Sequence, residues 1–312
     1  MRRGGLALVF AIMEAGLSAA DSTGRSANDL VTMPGPGSRF DSHTLKLGSF
    51  VIPPSSTAGL LLKVRIDGGP ALRLLLDSGA QFIVLDRAAA ARSGHTRGSE
   101  LDLVGVGRQP KAARMATAAS VEIGDLVLHD CGLIIADGKL LDGIDGVIPL
   151  SLFADFLVRL DIPGRTLALR PYPPNGRVEE GELTHVRASH NLLFVKTVLN
   201  DSKDGYILLD TGASFNAISE STARALKFPR LFASPVQLQS GVGATEGEML
   251  PSGVRFRFGS RLVDASPVVV VCLDELELRH GMEVAGIAGF PALRESILTI
   301  NYRDGLVGIG GK

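Results

Sequence analysis

From Ala58 onward the chain is a succession of short apolar runs broken by Gly, Asn, Asp and Pro. Runs of this length, rich in Leu, Ile and Val, predict strands rather than helices. Leu60–Ile66 reads as a strand, Asp67-Gly68-Gly69 as a hairpin turn, and Ala71–Leu76 as the returning strand. A short strand follows at Phe82–Leu85, and Asp86 is placed to cap a helix through Ala88–Ala91 that Gly94 ends. Further strands are expected around Ala118–Ile123, Leu126–Ile135, Val158–Ile162 and Thr166–Arg170, with a short helix near Ser151–Phe156.

The pattern then repeats. Pro171-Tyr172-Pro173-Pro174-Asn175-Gly176 and the polar run to Glu182 break it, as a linker does. Leu192–Leu199 and Tyr206–Leu209 read as strands, Ser219 as the cap of a helix Glu220–Leu226, and Val268–Val271 as a buried strand. Ile297–Ile300 and Leu306–Ile309 close the chain. Two sequences mark the repeat: Leu74-Leu75-Leu76-Asp77-Ser78-Gly79-Ala80 and Ile207-Leu208-Leu209-Asp210-Thr211-Gly212-Ala213. The two Asp lie 133 residues apart; Gly146 follows Asp77 by 69 residues and Gly286 follows Asp210 by 76. Self-similarity at this scale predicts tandem, similarly folded lobes.

Composition narrows the picture. The 312 residues are enough for two modest cores, and a formal net charge of −1 without long charged runs excludes a nucleic-acid or anionic-membrane surface built on charge. Met1-Arg2-Arg3, the apolar run to Met13 and the small residues Ser18 and Ala20 have the form of an export signal over residues 1–20, flawed by Glu14. On this reading the protein is exported, periplasmic or secreted, and no stable membrane span stays in the mature chain. Residues 21–56, rich in Ser, Gly, Pro and Asp, read as a loosely ordered leader. Lobe 1 then occupies residues 57–172, the linker 173–184 and lobe 2 residues 185–312. Cys131 and Cys272 are too far apart for a local metal knuckle or redox pair, and read either as two small buried hydrophobes or, in an exported protein, as a disulfide between the lobes. Six scattered histidines and the absence of His-Glu-x-x-His and Gly-x-Ser-x-Gly leave zinc protease and serine hydrolase chemistry without support. No metal or cofactor is expected.

An apolar strand that ends in Asp puts a carboxylate at a sheet edge beside low-dielectric packing. The next Ser or Thr can brace the loop, and the Gly after it brings a backbone N–H to the carboxylate. One such loop is an ordinary turn. Two in matching contexts can meet across a pseudo-two-fold axis, where two carboxylates cannot both ionise easily and share a proton. The ionised member can then act as a general base on water, and the protonated member can polarise a carbonyl.

With both loops followed by apolar-apolar-Gly segments, Gly143-Ile144-Asp145-Gly146-Val147 and Ala285-Gly286-Ile287-Ala288-Gly289, residues 58–312 resemble the pepsin-like and retropepsin-like aspartic proteases, especially the bacterial retropepsin-like proteins. The resemblance implies a mainly β, bilobal acid-protease fold of two tandem β-barrel-like lobes with short helices. It implies Asp77 and Asp210 as the catalytic dyad, Ser78 and Thr211 as loop-bracing hydroxyls, and Gly79, Ala80, Gly212 and Ala213 as the rest of the active-site loops. It further implies an aspartic endopeptidase that takes a protein or peptide substrate and needs only one chain, hence a monomer. The chain departs from the pepsin pattern in having no flap tyrosine, since Tyr172, Tyr206 and Tyr302 all lie elsewhere. Glycine-rich tips at Gly105 and Gly107, or at Gly241 and Gly243, are the candidate flaps. Lobe 1 also has Pro149 where lobe 2 has Gly289. Two other readings are a peptide-binding protein of the same fold with little or no turnover, and a β-barrel ligand binder. With no Trp and three Tyr, the chain is poorly equipped for the last.

Overall fold

The structure is a computed structural model that describes residues 8–10, 14–16, 41–51, 58–105, 107–173, 183–228, 234–240 and 243–311. Most of the expected export signal, much of the expected leader, most of the linker and Gly241 lie outside the described residues. Among the described residues, no helix is long and apolar enough to cross a membrane.

The fold is mostly β, in two lobes whose sheets repeat one order of pairing. In lobe 1, Leu126–Ala136 runs parallel to Ile83–Asp86, which is antiparallel to Gly146–Pro149, which is parallel to Leu72–Asp77. In lobe 2, Val268–Val271, Asn216–Ser219, Val284–Ala288 and Lys203–Leu209 pair in the same order and the same senses. Strand Leu72–Asp77 carries the apolar run Leu74-Leu75-Leu76 because both its faces are covered, and all three side chains are buried. In lobe 1 the sheet curls back, since Gly107–Ile123 pairs with both Leu126–Ala136 and Ala58–Ile66.

A hairpin projects from each lobe: Ser99–Gly105 with Gly107–Ile123, and Ser234–Ser240 with Gly243–Met249. The second strands of the two hairpins lie beside each other. At their outer edges the hairpins each accept one further strand. Leu8–Phe10 runs parallel to Leu238–Ser240, and Glu14–Gly16 runs antiparallel to Asp102–Val104.

A six-stranded region, continuous with the lobe 2 sheet where Thr184–Ser189 pairs with Leu192–Leu199, ties the lobes together. Its order is Thr184–Ser189, Leu306–Gly311, Ser296–Asn301, Phe156–Asp161, Thr166–Pro171 and His43–Lys46. Two stretches within the expected leader are strands. His43–Lys46 is an edge strand of the interlobe sheet and Gly48–Val51 an edge strand of lobe 1. Leu45 and Leu47 enter the main core, and Thr44 and Lys46 face solvent. The four-residue alternation is too short to stand out from the Gly- and Pro-rich stretch before it. The hairpin Val254–Phe258/Arg261–Ala265 and the helix Asp274–His280 are further elements that the apolar runs did not reveal.

Short helices end the repeated strands as expected. Asp86 caps Arg87–Arg92 by accepting the Ala89 N–H, and Ser219 caps Glu220–Ala225 by accepting the Thr222 N–H. Cys131 is buried in lobe 1 and Cys272 half-buried in lobe 2, and neither is in a disulfide. Burial pushes the Cys131 thiol up to about 12, so it stays a neutral hydrophobe.

Candidate active site

Both Asp-(Ser/Thr)-Gly-Ala loops emerge from the ends of equivalent strands and meet between the lobes. Two hydroxyls lock them together. Ser78 Oγ donates to the Leu209 carbonyl at 2.8 Å and accepts the Thr211 N–H at 3.0 Å. Thr211 Oγ1 donates to the Leu76 carbonyl at 2.9 Å and accepts the Ser78 N–H at 3.1 Å. Each hydroxyl thus pairs a carbonyl and an N–H of the other lobe, and all four bonds are buried. This symmetry requires a hydroxyl at both positions but not the same residue, so Ser78 in place of Thr changes nothing in the network.

Asp77 and Asp210 are both fully buried, at 0% exposure. Gly79 brings the two carboxyls close: a Cβ added there would sit 2.6 Å from the Asp210 carboxyl carbon. The outer oxygens accept backbone N–H groups, but unequally. Asp77 Oδ1 takes the Gly79 N–H at 2.7 Å. Asp210 Oδ1 takes two, Gly212 and Ala213, each at 2.9 Å. The two Oδ2 atoms are buried and find no donor among the described residues.

Burial raises both carboxyls, and Asp77 is further raised by the charge of Asp210, so Asp77 stands well above the usual carboxylate range. Asp210 is raised by burial to about 6, held there by its bonds to Asp77, Ala213 and Gly212. The pair therefore holds one proton between them across a range above pH 6, with Asp210 the better stabilised anion.

Behind each loop runs the downstream Gly segment. Gly146 pairs with both Leu74 and Leu85, and Gly286 with both Ile207 and Ile218. A side chain has no room at either: an added Cβ would lie 2.1 Å from the Val84 carbonyl oxygen at Gly146 and 2.3 Å from that of Ala217 at Gly286. Asp145 ties the lobe 1 segment down by accepting the Arg73 N–H at 2.7 Å and pairing with Arg92. It is a turn residue in position and is not part of the carboxyl pair.

Small apolar clusters under the two hairpins match position by position. Leu75, Ala80, Phe82, Val84 and Leu103 in lobe 1 correspond to Leu208, Ala213, Phe215, Ala217 and Leu238 in lobe 2. Leu103 and Leu238, both 0% exposed, root the hairpins in these clusters. Sequence reading missed them as anchors, although each precedes a candidate glycine tip by two or three residues. Gly105 and Gly107 end and begin the strands of the first hairpin, and Gly243 begins the second strand of the other. Among the described residues no group of three or more His, Cys, Asp or Glu is placed to hold a metal ion.

The comparison with curated proteins yields no match. Among solved structures, the chain is similar to the crystal structure of aspartic proteinase from Irpex lacteus. The TM-score is 0.55 at 12% identity, over 87% of this chain and 98% of that one. At that identity the likeness concerns the fold. The aspartyl protease family model matches residues 62–151 and 195–291. These two stretches contain the two Asp loops and make up more than half of the sequence, and the chain belongs to the aspartyl protease family.

Proposed function

We propose that the protein is an aspartic endopeptidase in which Asp77 and Asp210 activate water directly. The observation that carries this reading is the pair of buried, facing carboxyls whose Oδ2 atoms find no donor among the described residues and whose N–H supply is unequal. Asp210, stabilised as an anion by two N–H groups, takes a proton from water held between the carboxyls. Asp77, protonated, donates a hydrogen bond to the scissile carbonyl oxygen as water oxygen attacks the carbon. The tetrahedral intermediate collapses when the proton held by Asp210 passes to the amide nitrogen and the C–N bond breaks. No covalent enzyme intermediate forms.

The substrate is an extended peptide. The outer edges of both hairpins take an added strand by backbone bonding, at Asp102–Val104 and Leu238–Ser240. Recognition by strand addition binds the main chain and leaves alternate side chains to choose pockets. In this proposal the two hairpins serve as paired flaps, one from each lobe, and removal of residues 1–20 as an export signal frees both edges.

The test is cleavage of a diverse peptide mixture by protein that starts at Asp21, with Asp77→Asn and Asp210→Asn run beside it. Loss of cleavage in both variants, with the fold retained, supports the dyad. A folded wild-type protein that binds peptides without cutting them at any pH rejects turnover. Sequencing the N-terminus of the exported form reads the signal.

A further inference from the structure

The two short strands near the N-terminus are joined in sequence and sit on opposite lobes. Leu8–Phe10 lies along Leu238–Ser240 and runs toward the tip of the lobe 2 hairpin. Glu14–Gly16 lies along Asp102–Val104 and runs away from the tip of the lobe 1 hairpin. Phe10 and Glu14 are four residues apart, which spans at most about 14 Å of extended chain. One continuous segment therefore ascends one hairpin and descends the other.

The placement respects the pseudo-two-fold relation of the lobes. Leu238 and Leu103 hold equivalent places in the two apolar clusters. Leu8 pairs with the first in parallel sense, and Ala15 with the second in antiparallel sense. A straight chain that crosses a two-fold axis behaves in this way: parallel to one of two equivalent strands, it is antiparallel to the other. Residues 8–16 thus follow the course of an extended peptide laid from lobe 2 to lobe 1.

A pairing of three residues is marginal by itself. Two of them joined by a short connection bind as a bivalent ligand, and a ligand on the same chain competes at an effective concentration on the order of millimolar. Gly16 lies only 27 residues before His43, whose strand is fixed in the interlobe sheet. An unpaired hairpin edge offers N–H and C=O groups to whatever extended chain reaches it first. We infer that residues 8–16 form an intramolecular strap that fills both hairpin edges, holds the hairpins together and keeps the full-length chain latent. The strap rests on the proposed use of those edges by substrate. Removal of the N-terminal segment then releases the enzyme as well as the export signal.

The experiment compares the full-length chain with protein that starts at Asp21, and its probe is a fluorescent synthetic peptide of residues 6–18. Binding is read by anisotropy on the Asp210→Asn form of each protein, so that the probe is not consumed. The peptide is expected to bind the shortened protein saturably and the full-length chain at least tenfold more weakly. With Asp210 intact, cleavage of the peptide mixture is expected to be at least tenfold slower in the full-length chain. Neighbouring N–H groups of a strand point to opposite sides, so proline at two adjacent positions removes whichever one faces the hairpin. A full-length chain with Val9→Pro, Phe10→Pro, Glu14→Pro and Ala15→Pro is therefore expected to bind and cleave like the shortened protein. Should no form cleave at all, peptide binding still tests the strap apart from turnover. The strap is rejected if the peptide fails to bind the shortened protein or binds the full-length chain equally well. It is also rejected if an active full-length chain cleaves as fast as the shortened one, or if the full-length chain alone sediments as a dimer, which would put the pairing between copies.

Discussion

Asn216 Oδ1 accepts the Gly289 N–H at 3.1 Å, and lobe 1 lacks both partners at once. The equivalent positions there are Ile83, which starts the matching strand, and Pro149, which has no N–H to satisfy. The Pro/Gly difference between the lobes is thus one half of a matched pair of differences. In lobe 2 the same amide also donates through Nδ2 to the Pro267 carbonyl at 3.1 Å, fastening the strand after the Asp210 loop to its neighbour.

Replacing Asn216 with Leu should therefore leave the buried Gly289 N–H and the Pro267 carbonyl without this side chain. The expected loss is about 1–3 kcal/mol in denaturant unfolding. Ile83→Val, at the position that has no such bond, is expected to cost about 0.5–1.5 kcal/mol.

Ser78→Ala and Thr211→Ala each strip a buried N–H and a buried carbonyl of the opposite lobe of their partner. Each should cost about 2–4 kcal/mol and reduce cleavage, because the loops carry the two Asp. The exchanges Ser78→Thr and Thr211→Ser keep both bonds. They should retain most stability and activity, and an equal loss in the exchanges would reject the hydroxyl as the operative group.

Cleavage should rise as pH increases through about 6, where Asp210 ionises, and persist until the proton on Asp77 is lost well above the usual carboxylate range. A profile of kcat/KM against pH reads both limbs. An optimum near pH 3 would place the working anion elsewhere than on Asp210. Stability moves the opposite way. Asp210 holds its proton to about 6 in the folded chain against 3.8 unfolded, so the folded state binds more protons in that window and loses stability as pH rises through it. Asp210→Asn should then be the more stable protein at neutral pH, by on the order of 1–3 kcal/mol, while inactive. Thermal unfolding at pH 4 and pH 7.5 should show the gain only at the higher pH.

Gly146→Ala and Gly286→Ala drive a methyl group into the backbone of Val84 and of Ala217. A contact that close cannot be relieved by a side-chain rotation. Each variant should lose at least about 3 kcal/mol or fail to accumulate, as a solubility and unfolding comparison would show. Gly310→Ala, with only an ordinary contact, is the control.

Much of the fold was legible in the chain because its signals are local. Apolar runs of strand length follow from burial on a sheet, Asp86 and Ser219 cap helices through atoms three residues away, and a duplicated Asp loop can be read without knowing what it touches. The two carboxylates, their bracing hydroxyls and the pairing of each loop with a downstream glycine came from that repeat. Other features depend on which distant segments meet, and only the tertiary structure decided them. The unequal N–H bonding of the two carboxyls depends on ångström-scale differences between two nearly identical loops. The place of His43–Lys46 in the interlobe sheet rests on a strand more than a hundred residues later. Periodicity along a chain reports which face is buried, and it carries no record of what is buried against it.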